Sequence, residues 1–438
     1  MPRGNLITIC VTFVVAMICY ASVGQSRYAL LFQQGMRTIS EFYVRPVDDE
    51  DLFNAAMEGL TAPLDQNSVY IAPPRYSDFR RELGQEFGGI GVHVDFNKET
   101  REMLVITPLA GAPAYEAGVQ AGDVILAIDG VKLNGEDFDT SLKRLHGEKG
   151  TPVTLTVMHI GAEKPVDITM NRASIMVESV MGDTHGPNGM WNYVLAENPK
   201  IGYVRVDSFG DRTASDFEAA LQQIDGKVEG IIIDMRGNAG GYLTAAIQMV
   251  DMFIDQGEIV TTRTRNNQIR DVYEASSGGT IVPKNLPVVV MVNRFSASAS
   301  EIFAAALQDH HRATIVGERS FGKGTVQSIF PLDGDRRAMK ITTATYWRPS
   351  GSNIHHFPDS KDDDDWGVTP DESWELELDD ETLAKVIRSR RLHDVDRTNF
   401  ADPSSADKRE ISEDEQALLD FTDPQLQMAI EAIQDAAK

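Results

Sequence analysis

Cysteine is nearly missing from this chain of 438 residues: there are two, Cys10 and Cys19, and both lie in one apolar stretch near the start. The rest of the chain can therefore hold no disulfide, zinc–thiolate centre or cysteine nucleophile. Basic charge is also scarce. With 41 Lys and Arg against 66 Asp and Glu, the formal net charge is -25. No basic cluster stands out, and phosphate binding would require one, so a nucleic-acid partner is excluded. The acidity reads as solubility.

Charge of either sign is absent between Arg3 and Arg27, where LITICVTFVVAMICYASVG lies. Residues 1–26 read as an export signal or a membrane anchor. The length is about that needed to span a bilayer and favours an anchor, while the small Ser22 and Gly24 before Gln25 suit signal cleavage. On either reading the remainder is expected outside the cytoplasm, in a periplasm or tethered to a membrane and facing the exterior.

What is present reads as a globular chain of two or three domains, 42% hydrophobic and 24% charged. Residues 27–83 form a helical cap, with Leu52, Phe53, Ala56, Met57 and Leu60 spaced for one helix face. From GGIGVHV the pattern changes to short β-rich runs punctuated by glycine, MLVITPL, GDVILAIDGVKL and the alternating TPVTLTVMHI, which predict a compact β domain over 84–172. Over 173–385, IGYVRVDSF, TASDFEAALQQI, GIIIDMRG, YLTAAIQMVDMFI, PVVVMVN and ASASEIFAAALQDH alternate strand and helix patterns. This predicts βα units on a largely parallel sheet, with GIIID and PVVVMV covered on both faces. Residues 386–438 turn polar and helical; the link DPSSADKREISEDE leads to a last helix, DPQLQMAIEAIQDAA.

Three stretches carry chemistry. In GERSFGKGTVQ, Gly317, Gly322 and Lys323 come close to a nucleotide-binding loop, but Gly324 stands where Ser or Thr should hold magnesium, and TVQSIFPL reads as a strand rather than the helix such a loop needs. A lysine between glycines can instead serve as a general base, provided burial disfavours its charged form. In FSASASEIF a buried strand gives way to a helix, so a serine would meet free backbone amides; the competing reading is that Ser298 and Glu301 form a capping box that only starts the helix. In IIIDMRGNAGGYL, Gly237, Gly240 and Gly241 make a turn whose amides can face a developing negative charge or merely cap a helix.

Taken together, GGIGV, PAYEAGVQAGDVILAIDG, IIIDMRGNAGGYL, SASASEI and FGKGTVQ, with LDQNSVYI, TATYWRPSG, GVTPDE and DPQLQMAI, resemble the carboxyl-terminal processing, or tail-specific, serine proteases. The resemblance implies an α/β fold with a crotonase-like spiral as protease core, an inserted β-rich PDZ domain, and helical segments at both ends. It implies Ser298 as nucleophile, Lys323 as general base and Gln327 as the residue that orients the lysine. For the oxyanion it implies the amides of Ala299 and of Gly240 or Gly241. Asp309 falls at a position that serves structure more than proton transfer. The GGIGV loop, Gly89, Ile90, Gly91 and Val92, would hold a substrate C-terminus added as a strand. The implied partners are protein substrates recognised by their tails; no metal or other cofactor is required. A homo-oligomer or an adaptor stays open.

The chain departs from the family pattern in two places. His146 in LHGEKG stands where many members have arginine, a residue linked to coupling of the PDZ domain to the active site, which leaves that coupling open. IHHFPDSKDDDDWG is long and acidic, and its His355, His356 and Asp362 to Asp365 read as a solvated loop rather than a cation site. His310 and His311 read as surface residues rather than members of a Ser-His-Asp triad. The alternative functions are an inactive PDZ scaffold that binds tails without cutting, and a crotonase-type enzyme acting on thioesters. The intact serine, lysine and glutamine oppose the first, and the appended β domain opposes the second.

Overall fold

The structure is a computed structural model that describes residues 12–13, 26–83, 86–97, 102–109, 111–120, 122–133, 138–159, 161–162, 164–176, 178–186, 190–357, 360–361, 364–394 and 413–436. The N-terminal apolar stretch, most of the DPSSADKREISEDE link and the pair Asp362 and Asp363 lie outside these residues. Among the described residues no helix is long and apolar enough to cross a membrane.

The chain divides into two compact units, Met1–Tyr76 with Ser328–Thr342, and Ser77–Gln327 with Thr343–Lys438. In the first, helices Arg27–Phe42 and Asp49–Thr61 precede a short strand, Val69–Ile71, which pairs antiparallel with Ala338 to Lys340. Asp48 caps the second helix by accepting from the amides of Glu50 and Asp51. The face expected on that helix is only half-buried, and Leu60 is 56% exposed. A more specific anchor is Arg337, buried and bonded to Glu50, Asn54 and Tyr70.

The second unit holds the central sheet. Strands β1 (Ile201–Val206), β2 (Gly230–Asp234), β3 (Val288–Val292) and β4 (Thr314–Gly317) run parallel in that order, with Val180–Met181 antiparallel on the β1 edge. β2 and β3 are buried at every position, which is why their sequences show no alternation. Ile231, Ile233, Val288 and Val290 face one core with helices α1 (Thr213–Ile224), α2 (Leu243–Asp251) and α3 (Ala299–Asp309). There Phe217, Phe253 and Phe303 meet with ring centroids 5.7 to 6.2 Å apart. Ile232, Val289 and Met291 face the opposite side, onto helix α4 (Pro424–Ala436), which presents Ala429, Ile430, Ala432 and Ile433. Each large apolar side chain so buried contributes roughly 1.5–3 kcal/mol.

The last helix is therefore a layer of the core, although the polar composition before it suggested a tail. Gly230 lets it approach, because a Cβ there would lie 2.5 Å from Ile433. The charged pair within DMRG locks the same region: Arg236, its side chain 9% exposed, bridges Asp234 at 2.7 Å and Asp423, at the start of α4, at 2.8 Å.

Residues 86–176 form the β-rich part of this unit. Its sheet packs Met103, Val105, Ile125, Ile128, Val153, Leu155 and Val157 into a core separate from that of the central sheet. Strand Pro152–Met158 alternates buried and half-buried positions as its sequence predicts. His146 is exposed just after helix Phe138–Leu145.

Candidate active site

β3 delivers the chain to a tight turn at Asn293, whose side-chain oxygen accepts from the amides of Phe295 and Gly237. The three serines that follow fare differently. Ser296, fully buried, donates to the Met235 carbonyl at 2.8 Å and accepts from the Asn293 amide at 2.9 Å. Ser300, also fully buried, donates to the Asn238 carbonyl at 3.0 Å. These two hydroxyls are committed to backbone. Ser298 stands at the N-terminus of α3 with φ 58° and ψ -110°, a left-handed conformation that costs a non-glycine residue on the order of 1–3 kcal/mol. Strain of that size persists only where the surroundings enforce it.

One enforcing element is the NAGG turn between β2 and α2. Asn238 ties it down: its side-chain nitrogen donates to the Val206 carbonyl, its side-chain oxygen accepts from the Gly240 amide, and its carbonyl accepts from the Ala297 amide. Gly240, at φ 98°, presents a bare face to the serine; a Cβ there would sit 2.8 Å from Ser298 Cβ and 3.0 Å from the Ala299 nitrogen. Gly241 is pressed against the carbonyl of Phe209, to within 2.0 Å of an added Cβ. The two glycines thus differ. The Gly240 N–H is used by Asn238, whereas the N–H groups of Gly241 and Ala299 have no hydrogen-bond partner among the described residues.

The second enforcing element is Glu301, fully buried on the first turn of α3. Its Oε2 accepts from the Ser298 amide at 2.7 Å and the Lys323 amide at 2.8 Å; its Oε1 accepts from the Ser320 hydroxyl and the Gly322 amide, each at 2.6 Å. Burial pushes this carboxyl above its ordinary value, opposed by those four donors. Both halves of the expected capping box are present, the Ser298 side chain accepting from the Glu301 amide and the Glu301 carboxylate from the Ser298 amide, and the glutamate does more than start a helix: it joins the serine turn to the lysine loop. S-x-x-E was visible in the sequence, but nothing local announced partners 19 to 22 residues further on.

The lysine loop passes into strand β5 (Thr325–Leu332), not a helix, so no phosphate-binding helix terminus follows Lys323. The flanking glycines are explained by close approach: a Cβ on Gly322 would lie 2.6 Å from His356 Cβ, and one on Gly324 would lie 2.3 Å from the His355 amide nitrogen. The IHHF segment thus packs on the loop, with His355 against Phe357 and His356 against Trp366. Among the described residues no cluster of His, Cys, Asp or Glu could hold a metal. Lys323 and Gln327 are both half-buried, and the Gln327 amide donates to Thr325 at 2.9 Å.

Strand β6 (Arg337–Trp347) brings in a residue with no assigned role in the sequence. Tyr346 is buried beside the Ser298 side chain, its amide bonded to the Gly324 carbonyl, and burial pushes its phenol up to about 12, so it stays neutral. Arg348, just past β6, grips Asp309 through both carboxylate oxygens. Burial would raise Asp309, but hydrogen bonds from Arg348 and the Ser350 amide hold it below the ordinary carboxylate range. Asp309 ends α3 and Ser298 precedes it, about 16 Å apart along the axis. Proton transfer between them is excluded, and the same span removes His310 and His311 from any triad with Ser298. His310 proves half-buried rather than superficial, bonded to the Glu258 carbonyl at 2.7 Å, while His311 is exposed.

In the β-rich part, Ile90 is buried in the local core and Gly91, at φ 72°, would place a Cβ 2.3 Å from that of Ala112. The carbonyls of Ile90 and Gly91 accept from the Ala114 and Leu109 amides, whereas their own N–H groups have no partner among the described residues. Gly89 ends one strand, Glu86–Gly89, and Val92 opens the next, Val92–Asn97.

Comparison with known proteins accords with these features. Residues 200–373 match peptidase family S41, and residues 104–158 match the PDZ domain. The carboxy-terminal-processing protease of Bartonella bacilliformis is 39% identical over 75% of this chain and 71% of its own length, and the carboxyl-terminal-processing protease of Synechocystis sp. is 34% identical over 78% and 75%. A solved structure, the photosystem II D1 C-terminal processing protease, is 28% identical, with 82% of this chain and 95% of that chain covered and a TM-score of 0.46. A chain this similar to such relatives over most of both lengths, with a PDZ domain ahead of the matching peptidase region, belongs to the carboxy-terminal processing proteases of peptidase family S41, which are serine-type peptidases.

Proposed function

We propose that this chain is an exported endopeptidase that cuts protein substrates near their C-termini with Ser298 as nucleophile and Lys323 as general base. The observation that carries the proposal is the setting of Ser298. Of the three serines in its turn, it is the one whose hydroxyl donates to no backbone carbonyl among the described residues, and it stands in a strained conformation next to the unpartnered Ala299 amide. Ser298 Oγ attacks the peptide carbonyl carbon while neutral Lys323 takes the hydroxyl proton. The new oxyanion accepts from the Ala299 and Gly241 amides. Collapse breaks the C–N bond, the lysine returns the proton to the leaving amine, and water then hydrolyses the acyl-enzyme by the same route. Gln327 orients the lysine.

The PDZ domain, taken as residues 84–172, captures the substrate tail, with the open N–H groups of Ile90 and Gly91 receiving its carboxylate and a strand edge receiving its backbone. The core, residues 173–385, adopts the crotonase-like spiral and 386–438 complete it, while residues 27–83 form a helical N-terminal segment. Residues 1–26 direct export or tether the protein at a membrane.

The test is cleavage of an unfolded protein with an apolar C-terminus by wild type, Ser298→Ala and Lys323→Ala, each shown to be folded by circular dichroism. Cleavage lost in both variants is the expected result. Tail binding without cleavage in wild type would favour an inactive scaffold, and cleavage retained in Ser298→Ala would place the nucleophile elsewhere.

A further inference from the structure

The carboxylate of Glu301 is an expensive group to keep. It is fully buried, and among the described residues no Lys, Arg or His lies within ion-pair distance of it. A buried ion without a counter-charge persists only where enough oriented donors replace its hydration. Glu301 has four, and they divide in an informative way. Two come from Ser320 and Gly322 and seat the carboxylate in the lysine loop. The other two, converging on the single oxygen Oε2, are the backbone N–H groups of Ser298 and Lys323.

A helix start needs only the Ser298 contact. Loop closure needs only the Ser320 and Gly322 contacts. Both functions together still leave unexplained why one oxygen should take the amides of the two residues whose side chains must exchange a proton. That convergence fixes the two α-carbons against a common point, and it also grips the N–H of a serine held at φ 58°. The cost of misplacing reacting groups by as little as about 1 Å reaches roughly 100-fold in rate.

We propose that Glu301 is a positioning residue for the nucleophile and base, a buried carboxylate that holds Ser298 and Lys323 in reacting register without touching substrate. The inference rests on the Ser298–Lys323 reading above. Glutamine preserves the volume at position 301 but replaces one acceptor oxygen with an N–H donor, so at least one of the four amide or hydroxyl donors must face another donor. The register then loosens while the fold and the substrate surfaces remain.

The experiment uses the full-length chain in detergent and two readouts: steady-state cleavage of a tailed substrate, and the rate at which a small fluorophosphonate labels Ser298. Glu301→Gln is expected to lower kcat at least tenfold with KM unchanged, and to slow labelling by a similar factor. In the Lys323→Ala background, Glu301→Gln should slow labelling no further, because there is no base left to align. Labelling at the wild-type rate in Glu301→Gln, or an equal additional loss in the Lys323→Ala background, would overturn the proposal.

Should Glu301→Gln fail to fold, Ser320→Ala decides. It removes one seat of the carboxylate and is expected to lower kcat several-fold with KM unchanged; an unaltered kcat would overturn the proposal. Failure of the underlying reading looks different: Lys323→Ala alone would then label as fast as wild type.

Discussion

Gly240 faces Ser298 so closely that the first atom of any side chain there would lie 2.8 Å from Ser298 Cβ and 3.0 Å from the Ala299 nitrogen. The absence of a side chain at position 240 is therefore part of the site. Gly240→Ala is expected to push the turn away from the serine, lowering kcat by roughly 100-fold, the scale of losing one oxyanion donor. It should also destabilise the fold, since alanine is strained at φ 98°. Parallel measurement of kcat and thermal unfolding checks this; unchanged turnover would show that the turn does not border the reacting carbonyl.

Asp309 and Arg348 form a two-oxygen pair with side chains only 12% and 10% exposed, and the pair lies at the far end of α3 from Ser298. Asp309→Ala leaves the arginine buried without its partner and is expected to cost about 3 kcal/mol of stability. Chemistry at the serine should change less, which is read by comparing denaturant midpoints with turnover measured well below the unfolding temperature.

The same pair sets an acid limit. Because Asp309 titrates below 3.8 in the folded state, its contribution is fully present above 3.8 and disappears as pH falls through the folded value. Asp309→Asn should show a shallower loss of stability below about pH 4 than wild type, measured as midpoint against pH.

Glu301 has the opposite sign. Its folded value lies above 4.5, so between 4.5 and that value the folded state binds the extra proton and the contribution to stability falls as pH rises. Turnover should move the other way, because protonation takes an acceptor from the four donors. Over the weakly acidic range, stability and kcat are therefore expected to diverge, and Glu301→Gln should remove this group's part in both trends.

Ile433 packs against Gly230 and into the core on the second face of the sheet. Ile433→Ala is expected to cost about 2–5 kcal/mol, the range for a buried aliphatic side chain, where a residue on a dispensable tail would cost almost nothing. Chemical denaturation of the two proteins distinguishes these outcomes.

Much of this was legible in the sequence because local pattern and tertiary outcome agree. GIIID and PVVVMV announce doubly covered strands by lacking alternation, and TPVTLTVMHI announces its half-buried strand by possessing it. The serine turn, the glycine turn and the lysine loop were also visible as separate stretches. What was hidden is what joins them. Asn238, Asn293 and Glu301 act through partners far along the chain, and a polar residue in a turn has the same local signature whether it caps a helix or ties two loops together. That Asn238 consumes the Gly240 amide and leaves that of Gly241 was closed to sequence for the same reason. The role of α4 was masked by the polar stretch before it, because burial of Ala429 and Ile433 is decided by a sheet whose strands lie between residues 201 and 317.

That last arrangement has a consequence in time. Strands β1 to β4 are complete by residue 317, yet the helix that covers their second face spans 424–436. At about 5–20 residues per second, synthesis of the intervening chain takes on the order of ten seconds. Throughout that interval an apolar sheet face lacks its cover, so the nascent protease is at once exposed to aggregation and barred from its finished core. Maturation of the catalytic unit is thereby tied to a helix made more than a hundred residues after its sheet.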